Sequence, residues 1–141
     1  MQSGVRIFQK TMMKLLLIAI GGACGAMSRY GVGRAMSRFG VEFPWGTLCV
    51  NLVGSFLIGL IFGVQLGLSD SPRIRLLLAL GITGFLGAFT TFSAFSLESV
   101  MLIRDKHFLL AGANVLANCV FGLLLAFAGF WASRCFVGAV E

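Results

Sequence analysis

The residues best suited to binding an ion are concentrated between positions 81 and 96. Three glycines at intervals of three come first and four hydroxyl residues follow: Gly81, Gly84, Gly87, Thr90, Thr91, Ser93 and Ser96. Glycine is a poor helix former, and serine and threonine side chains can satisfy backbone groups that a broken helix leaves free. The spacing therefore predicts a break whose carbonyl oxygens could hold a cation. A continuous helix, with its hydroxyls bonded back to the preceding turn, is the alternative.

Two phenylalanines and an asparagine form a second group. Phe92 and Phe95 are three residues apart and share one helix face. Such a pair is usually only packing, but a phenyl edge carries partial positive charge and can face a small anion. Asn51 lies in an uncharged segment, where its amide needs hydrogen-bonding partners. Either a neighbouring helix or a dehydrating anion could supply them.

Further polar residues lie near both ends of the chain. Asn114 and Asn118 are one helical turn apart and form a stripe that either faces the same path or joins two helices by hydrogen bonds. Arg29 follows an apolar run, and an arginine at membrane depth is costly. It either draws anions towards a vestibule or extends to the interface as an anchor.

Long uncharged runs predict the elements that position these residues. The chain has 141 residues, of which 58% are hydrophobic and only 11% charged. Three runs without charge each exceed the roughly 20 residues that cross a bilayer as a helix, and a fourth does so if it continues past Arg29. We therefore predict an all-α integral membrane protein, a single domain over residues 1–141. Its four spans are expected at about 14–39, 44–68, 75–100 and 108–133.

Composition also argues against several functions. The formal net charge is +6, but the basic residues lie in short loops and at helix ends, which is typical of membrane flanks rather than of a nucleic-acid site. The single histidine, His107, lies in a loop, and the four cysteines lie singly in or beside separate spans. With no paired carboxylates and no nucleotide-binding motif, the sequence predicts that the protein is not an enzyme.

The distribution of charge predicts an unusual topology. Four spans place both termini on one side of the membrane, where six basic residues accumulate, against four or five on the other side. Since a clear excess normally fixes orientation, this near balance favours insertion both ways and pairing of two antiparallel copies. A single orientation held weakly by Lys14 is the alternative, and translation could begin at Met1, Met12 or Met13. Four short helices cannot enclose a solvated path alone, so a dimer is the smallest assembly expected.

Three segments resemble the CrcB/Fluc family of fluoride channels. Residues 21–30, 46–54 and 84–96 read GGACGAMSRY, GTLCVNLVG and GFLGAFTTFSAFS. The resemblance extends from about Lys14 to Trp131. It implies an antiparallel, dual-topology homodimer in the bacterial inner membrane. Where the family often has Thr or Ser, this chain has Ala94, and where it often has Tyr and Ser in the fourth span, this chain has Asn114 and Asn118.

The same resemblance implies the site and its ligands. By the resemblance, Asn51, Phe92 and Phe95 line the fluoride pore. From the residues themselves we expect Thr91, Ser93 and Asn118 to belong to the same pore, with Arg29 in the vestibule. A structural sodium ion at the dimer axis, not itself transported, would be held by backbone carbonyls of Gly87 and Thr90 from each copy. Fluoride, sodium, membrane lipid and a second copy of the chain are thus the expected partners, and nucleic acid is not.

Passive, selective fluoride export is the function that these features predict. An inside-negative membrane potential drives anion exit without a pump. The chief alternative is a small multidrug-type, proton-coupled exporter, which needs a carboxylate inside the first span, where this chain has Arg29. A non-transporting membrane scaffold would explain the glycine seams but not the Thr-Thr-Phe-Ser cluster.

Overall fold

Helices make up nearly all of the computed structural model, which describes residues 2–40, 42–68 and 70–138. Met1, one of the possible start residues, and the Arg6 side chain lie outside the described part. Helix α1 covers Gln2–Met36 and ends in a 3-10 turn at Ser37–Phe39, and α2 covers Trp45–Gln65. The third span consists of α3, residues 72–89, and α4, Phe92–Arg104. Helix α5 runs from Phe108 to Gly138.

Four segments are long and apolar enough to cross a membrane, as the sequence predicts. They are Ile7–Phe39, Trp45–Gln65, Pro72–Arg104 and Phe108–Cys135. The first helix begins at Gln2 and so extends beyond the membrane span that we expect over about residues 14–39. Ser71 caps α3 by accepting a hydrogen bond from the Ile74 amide at 3.2 Å, and Pro72 occupies the first helical position.

The helices associate as two tightly packed pairs, α1 with α3 and α2 with α5. At the α2–α5 seam, Gly59 lies against the Ala126 carbonyl and Gly129 lies against the Phe56 carbonyl. At the α1–α3 seam, Gly21 and Gly25 lie against the backbone around Phe85. Small residues allow backbones to approach closely where there is no hydrophobic force between helices in lipid. Small and polar residues recur at every fourth position of α2, and the glycines among them, Gly59 and Gly63, both lie against α5.

Two stretches of the helices are wound more loosely than an α-helix. Residues Ala79–Leu86 in α3 and Ala117–Phe121 in α5 have π-helical geometry. A wider turn shifts the register of the side chains that follow it, and such bulges are frequent at functional sites. The first bulge precedes the hydroxyl cluster, and the second contains Asn118.

The third span is interrupted between α3 and α4. Thr90 and Thr91 both have extended backbone conformations, with ψ of 157° and 111°. The chain re-enters a helix at Phe92, capped by the Thr91 hydroxyl, which accepts from the Ala94 amide at 3.1 Å. The helix is therefore not continuous here, although the Thr90 and Ser96 hydroxyls do donate back to the preceding turn, to the Leu86 and Phe92 carbonyls at 3.0 and 2.9 Å.

A tight turn joins α4 to α5. Lys106 has a positive φ of 63°, and the His107 amide donates to the Leu102 carbonyl at 2.8 Å, which closes the end of α4. Beside it Arg104 bonds to Asp105 at 2.7 Å, and this hydrogen bond lowers the pKa of the Asp105 carboxyl. The two residues lie at the opposite end of the third span from Pro72.

The close α2–α5 contact makes a direct prediction about stability. A methyl group added at Gly129 would collide with the Phe56 carbonyl, whereas one added at Gly112, on the same helix, meets nothing within 4 Å. Gly129→Ala should therefore lower the free energy of unfolding by about 1–3 kcal/mol. Gly112→Ala should leave it unchanged or raise it by up to about 1 kcal/mol. Unfolding in mixed micelles, followed by tryptophan fluorescence, measures both; equal losses would contradict the packing described.

Candidate functional site: a polar cleft at the helix interruption

An open cleft of about 500 Å³ lies beside the interruption of the third span. Five of the six expected pore residues line it: Asn51, Thr91, Phe92, Phe95 and Asn118. Gly87 and Thr90, the expected cation ligands, line it as well. Most of the remaining lining is apolar and includes Ile58, Ile82 and Leu86, which neither spacing nor charge singled out. The cleft thus brings residues from α2, the third span and α5 together.

Asn51 closes the gap that the interruption leaves in the backbone hydrogen bonding. Its Oδ1 accepts from the Thr91 amide at 2.9 Å, and its Nδ2 donates to the Thr91 carbonyl at 3.3 Å. Because a backbone N–H can only donate, this contact also fixes which way the amide is turned. Satisfying freed backbone groups in this way makes an interruption tolerable inside an apolar protein.

The same contacts release two carbonyl oxygens. In a continuous helix the Thr91 amide would donate to Gly87 and the Ala94 amide to Thr90. Here the Thr91 amide donates to Asn51 and the Ala94 amide to the Thr91 hydroxyl. The Gly87 and Thr90 carbonyls therefore lose their helical donors. Uncharged oxygens of this kind suit a hard cation, so these two residues are chemically fit to be cation ligands.

A chain of hydrogen bonds connects Asn51 to the backbone of α4 through α5. Asn51 Nδ2 donates to Asn118 Oδ1 at 2.9 Å, and Asn118 Nδ2 donates to Asn114 Oδ1 at 2.9 Å. Asn114, which is fully buried, donates to the Ser99 hydroxyl at 2.9 Å, and that hydroxyl donates to the Phe95 carbonyl at 2.8 Å. Asn114 therefore serves as a link between helices, one of the two readings of the sequence.

The two phenylalanines are near each other but differ greatly in exposure. Their ring centroids are 5.5 Å apart with the planes tilted by 55°. Phe95 is 8% exposed, whereas Phe92 is 79% exposed on the single chain. Phe95 thus belongs to the wall of the cleft, and Phe92 projects from its rim.

Two expected site residues do not line the cleft. Ser93 is exposed and its hydroxyl pairs with that of Thr91 at 3.2 Å, so it acts on the cleft through Thr91. Arg29 lies half-buried on α1, seven residues before the end of that helix. Its position near one end of a span is compatible with either reading of the sequence, vestibule or anchor.

A buried acid near the cleft has no counterpart among the expected site residues. Glu98 accepts a hydrogen bond from the Thr47 hydroxyl at 2.7 Å, and its other oxygen is buried without a partner. In the sequence, Glu98 is the only acid within the four expected spans, but the spacing gives no sign of its pairing with Thr47 on another helix. Among the described residues, no group of three or more His, Cys, Asp or Glu side chains is placed to hold a metal ion.

Four helices are long and apolar enough to cross a membrane, and three of these segments line a cleft that contains asparagine and threonine side chains. This arrangement defines a multi-pass membrane protein. The chain belongs to the CrcB-like family: the family model described as "CrcB-like protein, Camphor Resistance (CrcB)" matches residues 16–130. The resemblance found in the three sequence segments is thereby confirmed.

Several curated relatives cover most of the chain. A Rhizobium etli protein is 44% identical over 128 residues, which are 89% of this chain and all of that protein. A Salinibacter ruber protein is 44% identical over 84% of this chain and 87% of its own length. An Agrobacterium fabrum protein is 46% identical over 87% of this chain and 98% of its own length. All three carry the name "Fluoride-specific ion channel FluC".

The buried hydrogen-bond chain predicts energetic coupling between α4 and α5. Asn114→Ala and Ser99→Ala each remove one partner of the 2.9 Å bond and leave the other unsatisfied. A double-mutant cycle should therefore give a coupling of about 0.6 kcal/mol and at most roughly 1.7 kcal/mol, the range for such bonds in membrane proteins. Unfolding in mixed micelles measures the cycle. Strictly additive losses would mean that the two side chains do not interact.

Proposed function

We propose that this chain is a fluoride-selective channel that exports fluoride passively and lowers its concentration in the cytoplasm. The observation that carries the proposal is the name shared by relatives that are 44–46% identical over most of this chain. The cleft agrees with it, since Asn51, Phe92 and Phe95 meet there without any charged side chain in its lining. A full positive charge would hold a small anion too tightly for it to pass.

The driving force for fluoride export does not have to be supplied by the protein. Hydrogen fluoride crosses membranes as a neutral acid and dissociates inside, where the anion is trapped. An inside-negative potential then favours exit of a monovalent anion by about 2.3 kcal/mol per 100 mV. The protein has only to replace the water that the ion gives up.

The two Nδ2 hydrogens of Asn51 are not held equally strongly. Its bond to the Asn118 oxygen measures 2.9 Å, but its bond to the Thr91 carbonyl measures 3.3 Å and is the weaker. The more weakly bonded hydrogen is thus the one that a passing fluoride would share, without rotation of the planar amide. The Thr91 amide remains bonded to Asn51 Oδ1 meanwhile, so the interruption keeps its shape.

The phenyl rings complete the proposed shell. Phe95 presents its ring from a buried position in the wall, and Phe92 from the rim. Their edges offer partial positive charge to the anion. Thr91 and Ser93 form a hydroxyl pair beside this point, and Arg29 would raise the local concentration of anions at the mouth of the path.

A second, antiparallel copy would cover surfaces that this chain leaves open. Phe92, Leu97 and Val100 on α4 are each more than half exposed, and the cleft is open on one side. The nearly equal numbers of basic residues at the two ends of the spans favour pairing in opposite orientations. With both copies in place, the interruption at Thr90 and Thr91 would lie near the middle of the membrane.

Gly87 and Thr90 are the residues that would hold a structural sodium ion at the axis of such a dimer. Their carbonyls have lost their helical donors, and two copies would contribute four such oxygens. The ion would supply a fixed positive charge at the interface. The protein's own part is to keep these oxygens in place through the Asn51 contacts on the Thr91 backbone.

The first test is flux from liposomes. Purified protein reconstituted into fluoride-loaded vesicles should release fluoride rapidly, and chloride-loaded vesicles should release little chloride, as followed with ion-selective electrodes. A channel keeps this flux when the pH gradient is abolished, whereas the proton-coupled exporter considered above would lose it. Absence of fluoride release from a folded dimer would refute the proposal.

The pore assignment is tested by side-chain replacement. Phe92→Ile and Phe95→Ile retain apolar bulk but lose the ring edge, so fluoride flux should fall about tenfold or more, equivalent to a barrier at least roughly 1.4 kcal/mol higher. Phe108→Ile makes the same change at an exposed position on α5 outside the cleft lining and should conduct normally. Wild-type flux in both cleft variants would refute the role given to the rings.

A further inference from the structure

A second cleft, of about 520 Å³, lies between the N-terminal half of α1 and the start of α3. One part of its lining is basic and consists of Lys10, Lys14 and Arg75. The rest is mainly apolar and includes Met13, Pro72 and Leu76. The cleft is thus amphipathic, and none of its residues belongs to the cleft at the helix interruption.

The basic side chains are poorly neutralised by the protein itself. Lys10 and Lys14 are one helical turn apart and both exposed, and within the described ranges neither forms an ion pair with a carboxylate. Arg75 pairs with Asp70 at 3.2 Å, but both side chains are largely exposed, so water screens that pair. Three positive charges therefore face one cleft against a single exposed acid.

The position of the cleft along the spans indicates what surrounds it. Lys14 immediately precedes the uncharged run that begins at Leu15, and Arg75 immediately precedes the one that begins at Leu76. Helix α1, with 35 residues, is about 52 Å long, far more than the roughly 30 Å hydrocarbon core. The cleft therefore lies at the membrane boundary, where lipid headgroups meet acyl chains.

We propose that this cleft binds an anionic phospholipid. The headgroup phosphate lies among Lys10, Lys14 and Arg75, and an acyl chain follows Met13 and Leu76. Basic pockets between transmembrane helices are suited to such headgroups. Free phosphate would satisfy the charges but leave the apolar part of the cleft open to water, so a lipid is the better fit. The proposal is independent of which ion the protein conducts.

Native mass spectrometry of the delipidated, detergent-solubilised protein tests the site, with phosphatidylglycerol as probe and phosphatidylcholine as its zwitterionic comparison. Phosphatidylglycerol should bind at one site per chain and more tightly than phosphatidylcholine. Replacing Lys10, Lys14 and Arg75 by Gln should weaken it roughly fivefold for each charge removed. Removing the same number of charges with Arg34→Gln, Arg38→Gln and Lys106→Gln, outside the cleft, should have little effect.

A variant expected to strengthen lipid binding provides an independent test. This test does not require that the triple variant folds. Asp70→Asn removes the acid that competes for Arg75, so phosphatidylglycerol binding should become about twofold to fivefold tighter. Asp105→Asn makes the same change in the Arg104–Asp105 pair at the other end of the third span and serves as the matched control. If Asp105→Asn also made phosphatidylglycerol binding twofold tighter, the cause would be the net charge of the protein and not the cleft. That result would overturn the proposal.

Two further outcomes would also overturn it. Equal binding of phosphatidylglycerol and phosphatidylcholine would mean that the basic cluster does not recognise charge. Displacement of the lipid by millimolar inorganic phosphate would mean that the apolar part of the cleft contributes nothing and that the site takes a free anion.

Discussion

The fold depends most on a single backbone amide, the N–H of Thr91, which donates to a side chain instead of continuing a helix. In an apolar interior that amide cannot be left without a partner. Asn51 supplies one at 2.9 Å and returns a hydrogen bond to the carbonyl of the same residue. This pairing of Asn51 with the Thr91 backbone accompanies the interruption of the third span and the release of two carbonyls. It also accompanies the orientation of Phe92 and Phe95 at the cleft. Without an amide side chain facing Thr91 from α2, both backbone groups of Thr91 would lose the partners that they have in this structure.

Much of this could be predicted from the sequence, because the bilayer imposes strong and simple constraints. Uncharged runs located the four helices, and the glycines and hydroxyls between Gly81 and Ser96 predicted a helix break in the segment that contains the end of α3 and the start of α4. The spacing of four between Gly59 and Gly63 in α2 is also visible in the sequence, and both glycines lie against α5. These signals are local in sequence, so they can be interpreted without knowing which helices are neighbours.

What could not be predicted depends on pairing between distant segments. The partners of Asn51 are Thr91 and Asn118, 40 and 67 residues away, and nothing in the spacing of any one helix selects them. The same holds for Thr47 with Glu98 and for Asn114 with Ser99. The start of α1 at Gln2 was not predictable for a different reason: hydropathy marks where a helix enters lipid and not where it begins in water.

The hydrogen bonds from Thr91 to Phe95 also have a direction. Each member donates to the next: the Thr91 amide to Asn51, Asn51 to Asn118, Asn118 to Asn114, Asn114 to Ser99, and Ser99 to the Phe95 carbonyl. One end is a backbone N–H and the other a backbone C=O, neither of which can exchange its role. The direction of this row of hydrogen bonds therefore cannot be reversed. Rotating any one of its side-chain amides by 180° would place donor against donor or acceptor against acceptor. The protein thus carries a permanently oriented row of dipoles beside its cleft, and bonds so aligned polarise and strengthen one another.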